Sequence, residues 1–475
     1  MALSLSELVF LEASVQAALI AARQVSAAEL LQAHLDQIER VNPQVNAVCT
    51  LVAEQALQAA QDADARQARG QPLGPLHGLP VGIKDLADTQ GIRTTHGSPI
   101  YAHHVPETDA LVVTRYKQAG AIVLGKTNTP EFGAGSQTFN PVFGTTRNPY
   151  DLDKTCGGSS GGAGVALACG MMPIAQGSDF GGSLRNPAAW SNVVGFRTGI
   201  GRVPVWPGAL GYTSLSVQGA MGRTVRDVAL QLSAIAGPDP RVPSALPFPA
   251  DVFRTPIERD VRGLRVAWSR DLGRYPVEAV ITQVCDAQRS TFEHLGCHVK
   301  DAEPDLSDAD DIFQTVRAYS FAQRHEKHLA EHRQQLKATV IWNAERGLKL
   351  SALDVARAEA KRTALYQRVA AFFERYDYLC LPTTQVPPFS VEQEYPTEIN
   401  GQQLETYIDW MGLCYAITVT GCPAISVPCG FTPDGLPVGL QIVGPPHADV
   451  AVLQLAHAFE QATMFYQQKP AVAVA

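Results

Sequence analysis

From Lys84 to about residue 235 the chain alternates brief apolar runs with helical segments, and this alternation narrows the fold more than any other feature. VGI (81–83), AGAIVLG (119–125) and CGMMPIAQG (169–177) read as strands, while DALVVTRYKQA (109–119) and TVRDVALQLSAIAG (224–237) read as helices. Short, wholly apolar strands separated by helices belong in a sheet buried on both faces. The expected class is therefore α/β, with a large mixed β-sheet core covered by helices on both faces. Residues 1–70 are expected as an N-terminal helical segment packed on the core, and 71–240 as the core itself. Residues 241–475 continue the same domain, with a charged helical excursion at about 308–376. After it, YDYLCLPTTQVPP (376–388) and ITVTGCPAISVPCG (417–430) return to short strands, and DGLPVGLQIVG (434–444) reads as a hairpin.

Composition bounds the partners. With 475 residues, 45% of them apolar and 18% charged, the chain is long enough for a large buried core. A net charge of −8 without a Lys/Arg cluster argues against nucleic acid or an anionic membrane as the main partner. The first twenty residues carry Glu7 and Glu12 and lack a basic stretch, unlike a secretory signal. The most apolar stretches are broken by Gly and Pro and do not fit a membrane span. Nine cysteines, an odd number without a CxxC pair, read as reduced thiols in a cytoplasmic protein.

Three motifs match patterns whose physics they do not satisfy. GAIVLGKT (120–127) fits the phosphate-binding G-x4-G-K-T, but its middle residues favour a strand and a turn, not a helix, follows Lys126. HLAEH (328–332) fits an inverted zinc-protease pattern, yet its surroundings are polar on every side and no third ligand stands out, so no metal is expected. GGSSG and GSSGG (157–162) fit the nucleophile elbow of α/β-hydrolases, which also requires an acid and then a histidine downstream. No downstream acid or histidine has a recognisable catalytic context, and a Ser-His-Asp esterase stays as an alternative.

Two glycine–serine clusters, TCGGSSGGAG (155–164) and QGSDFGGSLRNPA (176–188), flank one helix–strand unit and can line one site. Phe180-Gly181-Gly182-Ser183 can aim several backbone N–H groups at one point, as a developing oxyanion requires; one such donor is worth about 3 kcal/mol. Ser183 is then the nucleophile and needs a base. No histidine lies in or beside either cluster, whereas Lys84 ends an apolar strand where burial would depress its pKa from about 10.4. Ser159 or Ser160 can relay the proton between Ser183 and Lys84. Asp85 would favour a charged Lys84, but neighbouring side chains of a strand point to opposite faces. Lys126 is a rival base in a turn-like context. Asp179 and Arg185 read as an ion pair framing the loop, and Ser160 as support for it.

The series GLPVGIKD, GKTNTPEFG, CGGSSGGAG and GSDFGGSLRNPAAW…VVGFRTGIGRVP, over about residues 75–240, resembles the amidase signature family in order and spacing. Weaker echoes continue in YDYLCLPTT and GCPAISVPCGF…GLPVGLQIVG. The resemblance implies a Lys–cis-Ser–Ser triad at Lys84, Ser159 and Ser183, with the bond before Ser159 cis. It also implies an oxyanion hole of the N–H groups of Phe180, Gly181, Gly182 and Ser183. Ser178 stands where the family usually has Thr and keeps the hydroxyl.

The expected activity is hydrolysis of small, apolar carboxamides or anilides through an acyl-enzyme, extending to esters and carbamates. No cofactor is expected, and a monomer or homodimer is. Phe132, Gly133, Gln137, Tyr319 and Trp410 are candidates for lining the substrate cleft. The alternative role within the family is a glutamine-hydrolysing component of a tRNA-dependent amidotransferase, which would require partner subunits.

Overall fold

The structure is a computed structural model that describes residues 5–212 and 215–474. Its centre is an eleven-stranded mixed sheet. The strands are β1 (Val48–Leu51), β2 (Pro80–Lys84), β3 (Ile122–Thr127), β4 (Ile174–Asp179), β5 (Val194–Arg197), β6 (Val217–Gly222), β7 (Arg265–Trp268), β8 (His298–Asp301), β9 (Tyr378–Pro382), β10 (Ala424–Phe431) and β11 (Pro437–Val443). Their order across the sheet is β1-β3-β2-β4-β6-β5-β10-β11-β9-β7-β8. β2 runs parallel to both neighbours, β3 and β4, while β4 and β6 are antiparallel.

Every residue of β2, β3, β5, β9 and β11 is buried. Along β3, Ile122 and Leu124 belong to one apolar cluster and Val123 to the other. That period of two is what a strand with helices on both faces must show. The same alternation sends Val81 and Ile83 of β2 to one face. Gly82 and Lys84 therefore turn to the opposite face, where Gly82 lies against Met172.

The helices that shape the site are α1 (Ala27–Val45), α2 (Gly161–Ala168), α3 (Arg185–Trp190), α4 (Ala309–His332), α5 (Ala338–Leu348), α6 (Ala352–Phe373) and α7 (Gly412–Thr420). α2 is buried along its whole length and lies against β1, β2, β3, β4 and β6. Its glycines are there for contact. A Cβ on Gly162 would sit 2.3 Å from the Asn128 nitrogen and 2.5 Å from the Ala47 oxygen, both backbone atoms. Since neither can rotate away, Gly162→Ala is expected to destabilise the protein by about 1–3 kcal/mol, the range for overpacking a filled core. A thermal melt that leaves the midpoint unmoved would refute this.

Two local readings differ from the sequence expectation. The N-terminal segment is not helical throughout, because Val48–Leu51 adds an edge strand antiparallel to β3. ITVT, expected as strand, closes α7, which ends at Gly421 in the left-handed conformation (φ 76°). A short run buried on all sides carries no periodicity, so strand and helix look alike there. The charged excursion consists of α4, α5 and α6, with α4 packed against α5, α6 and α7.

Candidate active site

Lys84 closes β2 on the face that carries α2, and the chain enters α2 through Ser159 and Ser160. The Gly158–Ser159 peptide bond is cis. Lys84 Nζ lies 2.8 Å from Ser159 Oγ, 3.2 Å from Ser178 Oγ and 3.4 Å from the Ser178 carbonyl oxygen. The amine is fully buried. Loss of water pulls its pKa down to about 7, against the opposing pull of the Asp179 carboxylate. Asp85, on the other face, accepts from the Thr95 hydroxyl and N–H instead.

β4 ends at Asp179, and the loop 180–184 wraps around its carboxylate. Burial alone would raise the Asp179 pKa, but the guanidinium groups of Arg185 and Arg197 outweigh it and hold the group ionised. Arg185 donates to both carboxylate oxygens at 3.0 Å and Arg197 Nη1 to Oδ1 at 3.2 Å. The N–H groups of Gly182 and Leu184 donate to the same carboxylate at 2.9 and 3.1 Å. The expectation of four oxyanion donors is corrected here: the Gly182 N–H is committed to Asp179. The N–H groups of Phe180, Gly181 and Ser183 hold no hydrogen bond among the described residues. Asp179→Asn would leave two buried guanidiniums short of a counter-charge and is expected to cost about 3–5 kcal/mol, read as a lowered unfolding midpoint. A variant as stable as the parent would refute the assigned role.

Ser160 is buried and braces the two clusters. Its N–H donates to the Ser183 carbonyl at 3.1 Å, and its Oγ lies 3.4 Å from both the N–H and the carbonyl oxygen of Ser178. Lys126 lies elsewhere. It is buried, with its pKa drawn down to about 8 by desolvation. Its Nζ donates to the Ala87 carbonyl at 2.5 Å, Thr89 Oγ1 at 2.9 Å and Thr94 Oγ1 at 3.1 Å, which occupies all three of its protons. GAIVLGKT contributes β3 and no phosphate loop.

Ser159, Ser178 and Ser183 open onto a cavity of about 380 Å³. Its apolar wall includes Phe132, Phe180, Val203, Val205, Leu215 and Phe321. Phe132 and Gly133 line it. Gln137, Tyr319 and Trp410 do not, and these are corrections. Gln137 is buried and donates to the Val391 carbonyl at 2.6 Å. Trp410 is stacked in the core on Trp190, 5.5 Å between ring centroids. Tyr319 packs against the core, while its helical neighbours Arg317, Ser320, Phe321 and Arg324 face the cavity.

An adjoining cavity of about 390 Å³ shares residues that include Phe132, Ser178, Val205 and Arg324, and its own lining adds Asp88. His325 and His328 line it, so the segment HEKHLAEH is not polar on every side as expected. His325 is fully buried against Phe132 and Phe321, and burial pushes it to about 3, which keeps it neutral. His328 lies 2.9 Å from the Tyr101 hydroxyl. Among the described residues no group of three or more His, Cys, Asp or Glu is placed to hold a metal ion. The cavity residues of α4 escape sequence reasoning because only their spacing, Arg317, Phe321 and Arg324 at i, i+4 and i+7, puts them on one helical face.

The site thus sets a buried lysine on a serine beside a loop of free backbone N–H groups. The comparisons agree on the class. The family model for amidases matches residues 29–453. An acylamidase of Rhodococcus erythropolis is 36% identical over 465 residues, 97% of each chain. The matching component of the glutamyl-tRNA(Gln) amidotransferase of Moorella thermoacetica is also 36% identical, covering 99% of this chain and all of its own. The crystal structure of a bacterial aryl acylamidase superposes with a TM-score of 0.89 at 30% identity, over 96% of this chain and 98% of that one. The chain belongs to the amidase signature family. It is a hydrolase of that α/β class, acting on amides.

Proposed function

We propose that the chain is a serine amidase that cleaves the C–N bond of acylated arylamines and related small amides through an acyl-enzyme. The observation that carries this reading is the fully buried Lys84 amine 2.8 Å from Ser159 Oγ, at the cavity that also holds Ser183. Ser183 Oγ attacks the carbonyl carbon; its proton passes to Ser159 Oγ while the Ser159 proton passes to the neutral Lys84 Nζ. The oxyanion faces the N–H groups of Phe180, Gly181 and Ser183. The proton returns by the same path to the leaving nitrogen as the C–N bond breaks. Water, deprotonated along that path, then releases the acid and restores Ser183.

The resemblance to an acylamidase and an aryl acylamidase supports anilides as substrates, and the mechanism extends to esters and carbamates. The similarity to glutamyl-tRNA(Gln) amidotransferase components favours glutamine as the second reading. Against it stands the cavity, whose lining includes no carboxylate to receive an α-ammonium. We place the enzyme in the cytoplasm: its nine described cysteines are all free thiols, and no described helix is long and apolar enough to cross a membrane. Incubation of the isolated chain with 4-nitroacetanilide, and separately with glutamine, separates the readings. Release of 4-nitroaniline without ammonia from glutamine is expected. The reverse pattern would replace this reading with the second.

A further inference from the structure

We propose that Arg317 and Arg324 form an anion-binding subsite, so that substrates bearing a single negative charge, such as a carboxylate, are preferred. This rests on the amidase reading above and names the substrate class of the same cavity.

Both arginines line the cavity that holds Ser159 and Ser183. They stand seven residues apart on α4, two turns on one face and about 10 Å along the axis. Among the described residues neither forms an ion pair with a carboxylate, and no Asp or Glu lines this cavity. The arginines around Asp179 and Asp449, by contrast, are paired.

Arg317 is buried, and a guanidinium without a counter-ion is costly there. Its compensation is partial. The guanidinium lies 4.5 Å from the ring centroid of Phe321 and 5.4 Å from that of Phe180. Nε and Nη2 donate to the Tyr407 hydroxyl at 3.2 and 2.8 Å, which leaves Nη1 without an acceptor among the described residues. Aromatic faces favour the cation but accept none of its five N–H donors well. An incoming carboxylate would meet those donors in the geometry a guanidinium suits best. Phe180 also supplies an oxyanion N–H, so the charge is held next to the reacting carbonyl. Arg324, exposed at the rim, provides the second positive group.

Two sources of charge are distinguishable: the acyl part or the amine part of the substrate. Binding to Ser183→Ala protein is measured by calorimetry for neutral 4-nitrobutyranilide, the mono-4-nitroanilide of glutaric acid and 4-(butyrylamino)benzoate. At least one anion is expected to bind at least ~10-fold more tightly than the neutral anilide, and the tighter one identifies the side. Arg324→Gln in that background should reduce the preference at least ~5-fold. Arg317→Gln should do the same, with the rim variant keeping the test open if the buried one fails to fold. Equal binding of all three compounds, or a preference that survives Arg324→Gln, overturns the proposal. These measurements need no turnover. Failure of the amidase reading shows separately, as absence of any acyl adduct on Ser183 in the parent enzyme.

Discussion

Ser183→Ala is expected to keep its fold and lose amide turnover by on the order of 10⁵- to 10⁶-fold, as when a serine nucleophile is removed from a working triad. The folded structure should tolerate the change because the Ser183 hydroxyl opens onto the cavity, and its structural tie is a backbone one, the carbonyl that accepts from Ser160. Intact-mass analysis after exposure to a fluorophosphonate should find one adduct on the parent protein and none on the variant. An adduct that persists would move the nucleophile to another residue, with Ser159 the first to examine.

Lys84→Met is expected to act in opposite directions on rate and stability. The rate should fall by about 10²–10⁴-fold, the usual worth of a positioned general base. Stability should rise at low pH, because the native fold binds this amine's proton less well than the unfolded chain does. A fall from about 10.4 to about 7 corresponds to roughly 4–5 kcal/mol of destabilisation below pH 7, reduced in the variant by the loss of hydrogen bonds to Ser159 and Ser178. Between pH 7 and about 10 the unfolded chain holds the proton and the native one does not, so the parent gains stability as pH rises and the penalty fades. Lys84→Met should therefore melt higher than the parent at pH 6 and lose that advantage towards pH 9. A variant that melts lower at pH 6 would mean that Lys84 is held there by its charge.

The places where sequence reasoning succeeded and failed follow from what sets each feature. Lys84 was legible because a charge at the end of an apolar run has few inexpensive locations, and the alternation of β2 decides which face it takes. The two glycine clusters were legible as close-approach points, and Gly162 against Asn128 and Ala47 gives that a physical form. The commitment of the Gly182 N–H to Asp179 was not, because it depends on a loop curling around a carboxylate whose charge is set by Arg185 and Arg197 on other elements. Gln137 and Trp410 look like binding residues by type, yet tertiary partners, the Val391 carbonyl and Trp190, consume them. Tyr319 lies beside the cavity-facing residues in sequence and turns away only through the helical rotation of α4. Arg317 and Arg324 carry no motif, and their significance depends on the serine-bearing cavity having no carboxylate in its lining, which only the packed structure reveals.

The central physical claim is that burial lowers the Lys84 amine to where it titrates near neutral pH, so that the uncharged form is well populated in the resting enzyme. The pH dependence of kcat/KM for a neutral anilide reports the ionisation of the free enzyme and tests this most directly. A rise with pH through an apparent pKa near 7, which vanishes in Lys84→Met, is the expected result. A profile that stays flat from pH 5 to 9, or climbs only near pH 10, would contradict it.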